Sequence, residues 1–227
     1  MRHDDPNLPG VELVAHALGA LVDEVILVGG CATGMLITDA ARPVVRATLD
    51  VDLVTEVTPR ASYYEFCERL KQRGFRESAD AEVICRWHLG GTIVDIMPTE
   101  EGILNFTNSW YALAARTAMA RQLPGGGTIR VIAAPMFLAT KLEAFRSRGG
   151  GDYLHHDLED VINVIDGRPE IVSEVLAAPS EARDFIADEF EALIADPTFD
   201  DQLLWLLGGD AGRKPVVLER IRLMTGL

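Results

Sequence analysis

Asp50 and Asp52 stand two residues apart in Thr48-Leu49-Asp50-Val51-Asp52-Leu53, and a third acid, Asp95, sits inside the apolar run Thr92-Ile93-Val94-Asp95-Ile96-Met97. Side chains alternate along a strand, so Asp50 and Asp52 share one face while Val51 and Leu53 take the other. Upstream, Val25-Ile26-Leu27-Val28 runs into Gly29-Gly30-Cys31-Ala32. Glycines at the end of a buried strand let the backbone approach a ligand closely. A helix behind them offers free N–H groups and the positive end of its dipole to a phosphate. Thr33 suits either a hydroxyl bond to that phosphate or the cap of the helix. Two carboxylates beside a phosphate-binding turn suggest a magnesium site for phosphoryl or nucleotidyl transfer.

A buried, unpaired carboxylate is costly, so Asp95 either pairs with an arginine or binds a metal. With Asp50 and Asp52 pointing out of a neighbouring strand, the metal is the preferred reading. Arg42 and Arg46 precede the acidic strand and either neutralise triphosphate charge or lie in a solvated loop.

The elements that must hold these residues follow from periodicity. Apolar positions from Val11 to Val22 predict an amphipathic helix ahead of the first strand, with His16 on its surface. A short helix over residues 32–38 follows the glycine turn. Pro59 to Gly74 reads as a helix opened by proline and closed by glycine. Two β-rich runs, from Glu82 to His88 and from Thr92 to Met97, flank Gly90-Gly91 and read as a hairpin. Residues 108–120 read as a helix or as a loop and a helix, Pro124-Gly125-Gly126-Gly127 as a break, and Thr128 to Ile132 as a strand. A helix from Pro135 to Arg148 buries Leu138, Leu142 and Phe145, with Lys141, Ala144 and Arg148 on the adjoining stripe. A helix over residues 153–166 carries Asp157 and Asp160 after His155 and His156; the spacing matches no closed zinc motif. From Pro169 the chain reads as helical throughout, over residues 171–177, 180–194, 199–207 and 216–224. Trp205 is expected in the core, and Arg213, Lys214, Arg220 and Arg222 form a basic cluster that either touches an RNA acceptor or, the preferred reading, is a solvated helix face.

The chain has 227 residues, 48% hydrophobic and 25% charged, with a net charge of −14. Those values suit a globular protein with a sizeable core. They exclude a chain whose whole surface is a basic nucleic-acid platform, so any such contact must be local. Three scattered cysteines argue against a disulfide framework or a cysteine zinc site. No apolar run reaches the ~20 residues of a membrane span, and the N-terminus lacks the pattern of a signal peptide. A cytoplasmic location is expected.

Gly29-Gly30-x-Ala32 followed by Arg46-x-Thr48-x-Asp50-x-Asp52-Leu53 resembles the DNA polymerase β-like nucleotidyltransferase superfamily. Within it the pattern is similar to the AbiEii/MenA-type nucleotidyltransferases, the toxins of type IV toxin–antitoxin systems. The resemblance implies Asp95 as a third metal-binding carboxylate. It further implies Lys141 on a helix, then Asp157 and Asp160 on the next. The implied fold is α+β: a nucleotidyltransferase-type mixed sheet flanked by helices in residues 1–127, then a mainly helical region in 128–227. The implied reaction transfers a nucleoside monophosphate from a triphosphate to an acceptor hydroxyl, with Asp50, Asp52 and Asp95 holding Mg²⁺. Gly29, Gly30, Thr33 and Arg46 would hold the phosphates, Lys141 the developing charge, and Asp157 would orient Lys141 or meet the nucleotide. The implied acceptor is tRNA, and the implied partner a cognate antitoxin protein. A small-molecule acceptor of the antibiotic type, a protein acceptor, a non-catalytic nucleotide-binding member, and a plain strand end with a salt-bridged Asp95 stand as alternatives.

Overall fold

The computed structural model describes the whole chain except residues 1–3, 43–44, 57–59, 79–84, 101–102, 104–106 and 227, and the side chains of 60 and 61. It divides into two compact units, one built from His3–Gly34 and Val44–Ala133, the other chiefly from Met35–Pro43 and Ala134–Leu227.

The first unit is organised by a mixed sheet. In chain order its elements are α1 (Leu8–Leu18), a 3₁₀ turn (Gly19–Glu24), β1 (Val25–Leu27), the start of α2 (Gly29–Leu36), β2 (Asp50–Thr55), α3 (Arg60–Gln72), β3 (Arg76–Glu77), β4 (Arg86–Leu89), β5 (Thr92–Pro98), α4 (Tyr111–Thr117), β6 (Met119–Gln122) and β7 (Thr128–Val131). Among the described residues the sheet has seven strands in the order β3-β4-β5-β2-β1-β7-β6. β2 lies at its middle, antiparallel to β1 and parallel to β5. Strands buried on both faces read as continuous apolar runs, which is what Val25–Leu27 shows. Val51, Leu53, Val94 and Ile96 are all buried, as alternation requires of the face away from the acids. Tyr63 on α3 donates its hydroxyl to the Ile96 carbonyl at 3.1 Å, tying that helix to β5.

The boundaries differ from the sequence reading in places with clear causes. α1 stops at Leu18 because Gly19 turns the chain at φ +55°, and the remaining residues to Glu24 form the 3₁₀ turn. α2 starts at the glycine pair itself instead of behind it. Met119 and Ala120 are not the end of a helix but the start of β6, which pairs with β7 across a turn at Leu123–Gly127. The glycine run is therefore a hairpin turn, with Gly126 at φ +94° and Gly127 at φ +83°. β7 begins at Thr128 and belongs to the sheet, one residue past the split expected after 127. Pro59 and Glu82–Ile84, expected as a helix start and part of a strand, lie outside the described residues.

The second unit is helical: α5 (Ala134–Arg148), α6 (His156–Gly167), α7 (Ile171–Leu176), α8 (Ser180–Ala195), α9 (Pro197–Leu206) and α10 (Lys214–Thr225). Their apolar stripes meet at Phe137, Leu158, Ile162, Ile186, Phe190 and Ile221, each fully enclosed. Trp205 is not in this core: it is 72% exposed. Phe199, Leu203 and Leu206 form the inward stripe of α9, and Trp205 falls about 200° of helix turn from Leu203. Arg42 is not on a solvated loop either. It is buried, paired with Asp166, and donates to Asn163 at 2.7 Å. No described helix is long and apolar enough to cross a membrane.

Candidate active site

Three carboxylates converge on one face at the centre of the sheet. β2 and β5 run parallel in a register that sets Asp52 directly beside Asp95, and Asp50 follows two residues earlier on the same face. One oxygen from each of Asp50, Asp52 and Asp95 lies within 4.8 Å of the others. Asp50 and Asp52 are half-buried, and Asp95 is buried.

The glycine turn is built around this cluster. Gly29 adopts φ +63°, a left-handed conformation. A Cβ there would stand 1.9 Å from Asp52 Oδ2. Only a residue without a side chain lets the start of α2 and the Asp52 carboxylate occupy this space together. The Val28 amide donates to the Asp52 carbonyl at 2.9 Å, fixing that approach. Gly30 is buried in the first turn of α2.

The segment leading into β2 is clamped from behind. Asn7 Nδ2 donates to the Arg46 carbonyl at 3.1 Å, and the Thr48 amide donates to Asn7 Oδ1 at 2.8 Å. Cys31 on α2 lies 3.0 Å from Thr48 Oγ1 and donates to the Asp50 carbonyl at 3.1 Å. Burial pushes the Cys31 thiol up to about 12, the Thr48 bond opposing and Asp52 and Asp50 assisting. It is a neutral packing group there, not a nucleophile. The Arg46-x-Thr48-x-Asp50 pattern is thus the brace that aims Asp50. Arg46 itself is half-buried. Thr33 is fully enclosed four residues inside α2, and its hydroxyl has no hydrogen-bond partner among the described residues. It neither caps the helix nor presents its hydroxyl to a phosphate as α2 stands.

Sequence reasoning left the partner of Asp95 unnamed. Arg86 on β4 is the cross-strand neighbour of Asp95. Its Nε donates to Asp95 Oδ1 at 2.9 Å and its Nη2 to Oδ2 at 2.7 Å. The same Nη2 lies 3.9 Å from Asp50 Oδ2. The bonds to Asp95 hold the guanidinium further above its usual value. A signal for this pairing exists in the sequence. In a hairpin closed by Gly90-Gly91, Leu89 faces Thr92, and stepping outward brings Arg86 opposite Asp95.

Lys141, Asp157 and Asp160 belong to the helical unit, where they bond one another. Lys141 Nζ lies 2.9 Å from Asp157 Oδ1 and 2.7 Å from Asp160 Oδ2. Arg148 adds a second cation to Asp157, with Nε 2.8 Å from Oδ2. Burial alone would raise the Asp157 carboxyl, but the bonds from Arg148 and Lys141 outweigh it and hold the group well below the usual range. His155, His156 and Asp157 also lie close together. His155 Nδ1 accepts the Asp157 amide at 3.2 Å, and Asp157 is already bonded to two cations, so this group is a helix cap joined to an ion-pair cluster.

No protein-family model matches the chain, and no curated protein matches it in sequence. Solved structures resemble it in fold. An antigenic nucleotidyltransferase-like protein from Paracoccidioides brasiliensis superposes with a TM-score of 0.54 at 21% identity, over 88% of this chain and 93% of that one. The antibiotic-resistance factor ANT(2'')-Ia superposes with a TM-score of 0.44 at 14% identity, over 70% of this chain and 83% of that one. The chain has a nucleotidyltransferase-like fold.

Proposed function

We propose that this protein is a divalent-cation-dependent nucleotidyltransferase. It moves a nucleoside monophosphate from a nucleoside triphosphate to an acceptor hydroxyl and releases pyrophosphate. The observation that carries this reading is the convergence of Asp50, Asp52 and Asp95 beside Gly29. The donor set fits Mg²⁺, a hard cation that takes carboxylate oxygens together with substrate phosphates. The close approach of Gly29 to Asp52, which a Cβ would block, keeps that carboxylate on the same face.

Asp50 and Asp52 would hold the ion, with Asp95 joining them. Bound there, the ion supplies charge neutralisation at the phosphoryl oxygens. The chain's own groups do the rest. The first amides of α2, from Gly29 and Gly30, donate to phosphate oxygens with the helix dipole behind them. An acid on the carboxylate face accepts the proton of the acceptor hydroxyl, and Asp95 is the candidate once it leaves Arg86. The hydroxyl oxygen then bonds the α-phosphorus as the bond to the bridging oxygen breaks, and pyrophosphate departs.

The acceptor ranked first is a tRNA hydroxyl, with a cognate antitoxin protein as partner, as the resemblance implies. A small cationic acceptor is the second reading. Its support is the net charge of −14 and the engagement within the chain of three of the four clustered cations: Arg213 on Asp166 and Asp39, Lys214 on Asp200, Arg220 on two carbonyls. The test is incubation with each labelled nucleoside triphosphate, Mg²⁺ and either total tRNA or an aminoglycoside panel, with Asp52→Asn alongside. Label on tRNA that is lost in Asp52→Asn supports the first reading. Label only on the small molecule moves the acceptor to the second. Cation-dependent nucleotide binding with no transfer to any acceptor makes the chain a non-catalytic member.

A further inference from the structure

We infer that Arg86 is a resident counter-ion of the carboxylate cluster, and that its positive charge competes with a divalent cation for the acids. The inference rests on the cation-dependent reading above and adds a competing residue to it.

The geometry is that of a competition. The Arg86 guanidinium meets Asp95 as a fork, one nitrogen per oxygen, at 2.9 and 2.7 Å. Both Asp95 oxygens accept from that fork. One of its nitrogens is also 3.9 Å from Asp50. A single positive group therefore lies beside two of the three acids and offsets their mutual repulsion. Each Asp95 oxygen keeps one lone pair beside its bond to Arg86, so an ion arriving on the acids meets the like charge of the guanidinium rather than a filled ligand. The side chain has room to leave, being 35% exposed, whereas the Asp95 side chain is only 12% exposed. The register makes the arrangement obligatory. Arg86 is opposite Asp95 on β4, and Asp95 is beside Asp52 on β2, so the three side chains share one face. A planar fork matches a carboxylate in a way that an ammonium does not. The freed guanidinium is then available to a phosphate of the nucleotide, a group of the same shape and charge preference.

The consequence is that cation affinity is set by competition, and that removing the competitor raises it. The experiment uses the full chain at low ionic strength with Mn²⁺, which has the same preference for oxygen ligands and is visible by electron paramagnetic resonance. Titrations compare wild type, Arg86→Gln, Arg86→Lys and Asp52→Asn, with circular dichroism confirming the fold of each. Arg86→Gln is expected to bind Mn²⁺ about tenfold more tightly, as follows from losing a charge-assisted pair. Arg86→Lys falls between, and it carries the test if the glutamine variant fails to fold. The gap narrows as salt is added. If wild type binds Mn²⁺, Asp52→Asn does not, and Arg86→Gln binds no more tightly, Arg86 is no competitor, while the cation-dependent reading stands. If neither wild type nor Arg86→Gln binds Mn²⁺, the cation-dependent reading falls and this inference with it.

Discussion

Gly29 meets two demands at one position, a left-handed backbone and the absence of a Cβ within 1.9 Å of a carboxylate oxygen. Gly29→Ala is expected to cost ~1–2 kcal/mol for the backbone alone. The larger effect falls on Asp52, which the new methyl must push aside. Urea unfolding together with Mn²⁺ titration separates the two: a modest loss of stability with a severe loss of cation binding is the expected result. Asp52→Asn behaves differently, because the amide fits the same space. It is expected to leave the melting temperature near that of wild type and to abolish transfer, as an end-point assay with labelled nucleotide would show. The exposed Trp205 marks the opposite case. Trp205→Ser is expected to change stability by no more than ~0.5 kcal/mol, measured by urea unfolding.

At the scale of elements, α5 and α6 are joined by buried charge. Lys141 is bonded to Asp157 and Asp160, all three nearly enclosed. Removing one partner strands the others in a medium that solvates them poorly. Lys141→Ala is expected to lose about 3 kcal/mol in urea unfolding, and Lys141→Arg less. Because Asp157 is held below its ordinary 3.8, its carboxylate stabilises the fold above that pH, and this contribution is lost as pH falls from there toward the depressed value. Unfolding measured across a pH series should show the loss beginning near pH 4, and Asp157→Asn should flatten that part of the profile. These helices were legible from the sequence because Leu138, Leu142, Leu158 and Ile162 recur at helical spacing. Asp50 and Asp52 were legible because strand alternation needs no partner to be read. Less accessible was what strand pairing decides, even across a short turn. That β6 exists at all depends on β7, and that Asp95 meets Arg86 depends on register across Gly90-Gly91. Trp205 was misread because a large aromatic ranks as core by type, while its own helix already had an inward stripe at Phe199, Leu203 and Leu206. Arg42 was misread because its partners, Asn163 and Asp166, come from a helix more than a hundred residues later.

Over the whole molecule, a net charge of −14 coexists with two arginines, Arg42 and Arg213, held on the one buried carboxylate of Asp166. Arg213→Gln should therefore lower stability by ~2 kcal/mol, through the buried Asp166 it leaves behind, and leave retention of tRNA on a filter unchanged. The sheet order carries a different message, about time. β4 and β5 are joined by two residues and can close within microseconds, whereas β2 must find β5 across a far longer stretch of chain. The arginine can thus reach Asp95 before the strand bearing Asp50 and Asp52 does. A nascent chain that had to bring three bare anions together would meet their repulsion at its slowest step; here the early hairpin brings a chaperoning cation with it. Refolding of Arg86→Gln, followed by stopped-flow fluorescence, should be slower than that of wild type, with the difference shrinking as salt takes over the screening.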